Sequence, residues 1–161
     1  TGPLIALALV DLLEEMPKLF SAVLVTDGVL EEALIDASKP GAIAIREALG
    51  KEWIRRHELQ GSSLVEDLTE LLDRGEAESL ALAKQLGAIA LIDEKRGRRV
   101  AINHDIQVTG TAALLIKAKQ HGLIPEVKPL LEILAVHGYR LGPKLIEQVL
   151  ILSGESEKPI Q

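Results

Sequence analysis

Short β-rich runs alternate with longer helical runs along this chain, which predicts an α/β fold: a three-layer α/β/α sandwich around a mostly parallel sheet, with extra helices at the C-terminal end. Three observations carry that expectation. Strands spaced by helices imply right-handed crossovers and therefore parallel pairing. The run "AIALID" (88–93) is apolar enough to be buried on both faces. And 161 residues that are 47% hydrophobic suffice for one packed core.

Taken in order, Leu4 to Met16 carries apolar residues at helical spacing and is expected to stop at Pro17. "AVLVT" (22–26) is a short strand and "GVLEEALIDA" (28–37) returns to helix. "PGAIAIREALG" is a further helix with Pro40 near its start and Gly50 at its end, while "EWIRRH" (52–57) reads equally as strand or loop. "GSSLVEDLTELLDRG" has Ser62 or Ser63 as N-cap, Glu66 three residues after Ser63, and Gly75 past its end, a capping box with a glycine stop. A tight link at Arg74 and Gly75 then leads into a helix over 76–87 that Gly87 closes.

After the strand at 88–93, "RRVAIN" is a short helix, "DIQVT" (105–109) a strand and "GTAALLIKAKQHG" (110–122) a helix ending at Gly122. "VKPLLEILAVHG" and "PKLIEQVLILSG" are two more helices. The domain is thus expected over 1–152, with a disordered polar tail over 153–161.

Composition excludes several functions. With no cysteine, disulfides and thiolate metal sites are out, and the chain suits a reducing cytoplasm. "PLIALALV" has no basic stretch before it, has Asp11, Glu14 and Glu15 after it, and falls far short of the roughly 20 apolar residues of a membrane span, so a soluble protein is expected. A net charge of −6 argues against a surface that grips nucleic acid everywhere, leaving "KRGRR" (95–99) as a local basic patch. Trp53, Tyr139 and Phe20 are the chain's three aromatic residues apart from histidine, so a single-stranded partner would be held through its backbone and not by stacking.

In open parallel sheets the ligand site lies beyond the carboxyl ends of the strands. Asp93 and Glu94 stand at one such end, Thr109, Gly110 and Thr111 at the next, and Asp27 follows the "AVLVT" strand; Glu76 and Glu78 open a helix. Clustered carboxylates repel one another unless a cation sits between them, and oxygen-only ligands suit Mg²⁺ or Mn²⁺. On this reading the acids hold metal, and Lys95, Arg96, Arg98 and Arg99 take the phosphates it leaves uncovered. Each motif also has a structural reading: acids at helix N-termini answer the dipole, Asp93 can be an N-cap, the cations a solvated helix face, and Thr109-Gly110-Thr111 a tight turn.

The stretches "GPLIALALVDLL", "GEAESLALAKQLGAIALIDEKRGRRVA", "VTGTAALLIKAKQHGLIPEVKPLLEIL" and "GYRLGPKLIEQVL", in that order, resemble a prokaryotic PIN-like family related to the ribonuclease toxins of toxin–antitoxin pairs. The likeness covers nearly the whole chain except about residues 36–70. It implies a PIN fold and a metal-dependent nuclease site. "VLEEA" matches the helix that supplies one acid, with Glu32 a better match than Glu31; "GEAES" supplies Glu76 first and Glu78 second. "LIDEKRGRR" supplies Asp93 or Glu94, with Asp93 ranked first because it ends the apolar run. An Asp that such relatives carry at the tip of the first strand would directly precede Thr1, outside this sequence. Glu in place of Asp at 76 lengthens that ligand by one methylene and shifts the metal outward.

The resemblance therefore implies an endoribonuclease in which Glu32, Glu76 and Asp93 hold Mg²⁺ or Mn²⁺, Lys95, Arg96, Arg98 and Arg99 position RNA, and Thr109 or Thr111 bonds a phosphate or metal-bound water. It also implies a cognate antitoxin. A degenerate PIN-like module that binds without cleaving is the alternative. A phospho-acceptor receiver domain fits less well, because the helical pair from 62 to 87 interrupts its alternation. Aliphatic C-terminal helices such as "LLEILAV" and "LIEQVLIL" add an expectation of homo-oligomers.

Overall fold

A computed structural model describes residues 1–61 and 63–156. The chain divides into two compact units, residues 1–111 and 112–161.

The first unit opens with α1 (Gly2–Leu9), which stops well short of the Met16 that periodicity suggested. Asp11 takes a left-handed φ of 55°, and Leu12 N–H returns to Leu7 C=O at 2.9 Å, so the helix ends in a Schellman turn built on an aspartate instead of a glycine. A 3₁₀ turn (Leu13–Glu15) and the short α2 (Met16–Leu19) follow. Pro17 opens α2 and stops nothing, because the first turn of a helix does not use that N–H.

Strand β1 (Leu24–Val25) leads through Thr26 into α3 (Asp27–Ala33), then α4 (Pro40–Gly50). Gly50 is the last residue of α4, as expected, and the left-handed residue beyond it is Glu52, at φ 57°. The ambiguous segment resolves as β2 (Arg55–Arg56), paired in parallel with β1 in the register Leu24↔Arg55 and Val25↔Arg56.

Helix α5 (Ser63–Thr69) begins at one cap candidate; the other, Ser62, lies outside the described residues. The link to α6 (Arg74–Leu86) falls at 70–73, earlier than the glycine suggested. Asp73 is the N-cap, accepting Glu76 N–H at 2.8 Å, so Gly75 sits inside the first turn of α6 and does not terminate α5. Gly87 does close α6, with φ 61°. Strand β3 (Ala90–Leu91), α7 (Lys95–Asn103) and β4 (Val108–Thr109) complete the unit, β3 pairing in parallel with β4. Helix α7 takes in the whole basic run.

The α/β class and parallel pairing thus agree with the sequence, with pairing confined to two short ladders among the described residues. Leu68, Leu80, Ala81, Ala90, Ile92, Val100 and Ala101 form one buried cluster that seats α5, α6, β3 and α7 together. That packing sets the first turns of α6 and α7 beside one another.

Helix α8 (Thr111–Gln120) starts on the last residue of the first unit; its remainder belongs to the second and runs up to a left-handed Gly122, followed by α9 (Lys128–Val136) and α10 (Pro143–Leu152). Glu155 is fastened within this unit, accepting Lys119 Nζ at 2.8 Å and the N–H groups of Val127 at 2.6 Å and Lys128 at 2.8 Å. Residues 157–161 of the expected tail lie outside the described residues. Among the described residues no helix is long and apolar enough to cross a membrane.

Candidate functional site

Acidic side chains gather where α6 and α7 begin. Glu32, in the last turn of α3, is half-buried and reaches across to Gly75; a Cβ there would stand 3.1 Å from its Oε2. The Thr1 hydroxyl donates to the same oxygen and would stand 3.0 Å from that Cβ. Glu76, one residue further along α6, reaches in turn to Gly97 in the first turn of α7, where a Cβ would meet Glu76 Oε1 at 3.2 Å and Ile92 Cγ2 at 2.9 Å. Glycine at 75 and 97 is therefore a matter of room. Each carboxylate lies against a helix N-terminus, whose unpaired N–H groups favour negative charge.

Glu76 is the most constrained of these acids. It is 8% exposed; none of the described residues donates a hydrogen bond to its carboxylate, whose oxygens keep some contact with solvent. Burial pushes its pKa up, and the charges of Asp73, Glu94 and Glu32 push it the same way. A buried carboxylate with acidic neighbours and no donor is a group that a cation would satisfy.

Glu78, the second candidate on α6, is committed elsewhere. Its Oε2 accepts Gly28 N–H at 2.7 Å and its Oε1 accepts Arg74 Nε at 2.6 Å, so it caps α3 from outside. Glu31 is exposed and pairs with Arg74 Nη1 at 2.5 Å. Asp27 is held by both Arg56 Nε and Nη2, whose hydrogen bonds keep its carboxyl below the usual range.

Asp93 and Glu94 part company. Asp93 Oδ1 accepts Thr111 N–H at 2.9 Å and Oδ2 accepts the Thr111 hydroxyl at 2.6 Å, while Glu94 is exposed at the N-cap of α7. Thr111 is fully buried in that contact, and Thr109 is half-buried in the β4 ladder. Of the basic run, Lys95, Arg96 and Arg99 are exposed on α7, but Arg98 turns inward and donates from Nη1 to Ile92 C=O at 2.9 Å.

The structure thus brings Glu32, Glu76 and Glu94 into one electrostatic neighbourhood and ties Asp93 to Thr111. Among the described residues no three acids stand close enough to form a finished cation cage. The sequence reading missed Thr1, Asp73, Gly75 and Gly97. The two glycines were legible in principle: a glycine inside a helix weakens it by about 1 kcal/mol against alanine and so asks for a packing reason.

The sequence profile of a family described as a PIN domain matches residues 1–155. The chain belongs to the PIN-domain family. No curated protein and no solved structure matches the chain significantly. The PIN domain is a nuclease-type fold, in general associated with RNA binding and divalent cations. The oxygen-only donors and the donor-free carboxylate of Glu76 in this PIN domain suit such a hard cation.

Proposed function

We propose that this PIN domain is a metal-dependent endoribonuclease, hydrolysing RNA phosphodiesters at the cluster formed by Glu32, Glu76 and the Asp93–Glu94 turn. The observation that carries this reading is Glu76, buried, without a donor and surrounded by acids. Such a group disfavours the folded state when ionised and is retained where its charge is used. Glu76 and Glu32 would hold Mg²⁺ or Mn²⁺, with one acid from the 93–94 turn. A bound divalent ion supplies an activated water and offsets charge developing at phosphorus.

The chain's own groups do the rest. Thr1 Oγ1 donates to Glu32 Oε2 and holds that carboxylate against Gly75. The N-termini of α6 and α7 lower the repulsion between the acids. Lys95, Arg96 and Arg99, exposed on the helix that follows the site, would take the RNA backbone. Thr109 and Thr111 have less room for the phosphate role, one being in a ladder and the other bound to Asp93.

A ribonuclease of this kind needs control, and an antitoxin that inserts a basic side chain into the acidic cluster would supply it, with the cytoplasm as the place of action. Exposed Val136 and Leu152 in the second unit support self-association, which gel filtration at micromolar concentration tests. The deciding experiment incubates single-stranded RNA with the protein in Mn²⁺ or in EDTA, beside Glu76→Gln. Cleavage that needs the ion and disappears in the variant is the expected result. No cleavage by folded, Mn²⁺-loaded protein would turn the reading to a PIN module that binds without cutting.

A further inference from the structure

We propose that one face of β2, Arg55 and His57 beside Trp53, is a second docking surface for the backbone of single-stranded RNA, separate from the cations of α7. The inference rests on RNA being the substrate, as read above, and adds a path by which it approaches the acids.

Among the described residues β2 pairs with β1 alone, which makes it an edge strand. Arg55 N–H donates to Val23 C=O at 2.8 Å and His57 N–H to Val25 C=O at 2.9 Å, so the backbone stays extended through this segment. Side chains along an extended chain alternate, which sets Arg55 and His57 on one face and Ile54 and Arg56 on the other. The second of these faces is committed. Ile54 is buried, and Arg56 grips Asp27 through Nε at 2.5 Å and Nη2 at 2.9 Å.

The first face is open. Arg55 is exposed and makes no ion pair among the described residues, whereas Arg56 pairs with Asp27 and Arg74 with Glu31. Half-buried His57 adds an imidazole N–H that can bond a phosphate oxygen. Half-buried Trp53 precedes them, with Lys51 Nζ 4.5 Å from its ring centroid, and Glu47, the acid beside Lys51, is already paired with it at 2.5 Å. A phosphate chain complements such a face in charge. Its place in the fold also suits a substrate, because ligands of parallel sheets bind beyond the carboxyl ends of the strands. The Arg56–Asp27 pair pins that end of β2 to the start of α3, and Glu32 lies five residues further along the helix, a rise of about 8 Å.

The test titrates the intact protein with a short single-stranded RNA in EDTA, so that binding is read without cleavage. It follows the emission of Trp53, the chain's single tryptophan, and the anisotropy of a labelled copy of the RNA over a range of salt. RNA should change the Trp53 emission. Arg55→Gln should weaken binding about fivefold and flatten the slope of log affinity against log salt by about 0.7, the share of one single-strand phosphate, without lowering the melting temperature. Arg46 is an exposed cation on α4, and Arg46→Gln should leave affinity and slope as they are. If the parent binds RNA and cuts it in Mn²⁺ while Trp53 emission stays constant and Arg55→Gln keeps the parent slope, the inference is overturned and the nuclease reading stands; Arg55 then serves only to keep an edge strand from pairing with another chain. If RNA binds through Arg55 and is not cut in Mn²⁺, the docking surface stands and the nuclease reading fails.

Discussion

The backbone N–H of Gly28 donates to Glu78 Oε2 at 2.7 Å, across fifty positions of sequence. Helix α3 is therefore capped by a residue of α6. Its own N-cap, Thr26, is 2% exposed and makes no capping bond; the hydroxyl has no partner among the described residues.

Two predictions follow from that division of labour. Glu78→Ala removes the cap and the Arg74 partner together, and should lower stability by about 2–3 kcal/mol in urea unfolding, since a buried charge-assisted bond is lost. Thr26→Val, by contrast, replaces an orphaned hydroxyl with a methyl of the same shape and should be neutral or stabilising by up to about 1 kcal/mol. A large loss in the valine variant would mean the hydroxyl has a partner after all.

Two positions from Glu78 on the same helix, Glu76 should behave in the opposite way. Its pKa is raised in the folded protein, so its ionised form opposes folding. That penalty is absent below the ordinary carboxylate range and sets in as pH rises through the raised value. Glu76→Gln should therefore melt higher than the parent at pH 7 in EDTA, and the advantage should vanish by pH 4. The same variant should cleave no RNA. An equal melting temperature at both pH values would remove Glu76 from its role as the strained acid.

How much of this was readable from sequence depends on whether a feature is local. Gly87 and Gly122 announced their helix ends because a left-handed φ is easiest for glycine. Asp11 takes the same conformation without that signal, so α1 stops earlier than its periodicity suggests, whereas α4 ends at Gly50 as its sequence indicates. The acids of the site were all legible as acids, but their assignment was not. Glu76 and Glu78 sit on one helix turn, and only the arrival of Gly28 against one and Gly97 against the other separates a cap from a buried, donor-free carboxylate. Gly75 is the sharpest case: its sequence position suited a helix stop, and the close approach of Glu32 explains it instead.

In the second unit, Glu155 gives a different pH dependence. Burial alone would push this carboxyl up, but the Lys119 ammonium, the N–H groups of Val127 and Lys128 and the Ser153 hydroxyl outweigh it and hold the pKa at about 2. A lowered pKa stabilises the folded state above the ordinary value of 4.5, and the gain is lost as pH falls from about 4.5 to about 2. With the side chain 9% exposed, Glu155→Gln should reduce the stability of this unit by about 2 kcal/mol at pH 7 and by almost nothing near pH 2. Hydrogen exchange at the α9 N–H groups would report it locally.

The basic run on α7 divides into two kinds of residue, and salt dependence should tell them apart. Lys95, Arg96 and Arg99 are exposed, whereas Arg98 is tied to the Ile92 carbonyl. Each single-strand phosphate neutralised contributes about −0.7 to the slope of log affinity against log salt. Replacing Lys95, Arg96 and Arg99 together by Gln should thus flatten the slope for a short single-stranded RNA by about 2 while leaving the melting temperature within a few degrees. Arg98→Gln should do the reverse, changing the slope little and lowering stability, because it frees a carbonyl at the strand tip. If the triple variant keeps the parent slope, RNA does not run along α7, and the cations there serve only the solvated face of the helix.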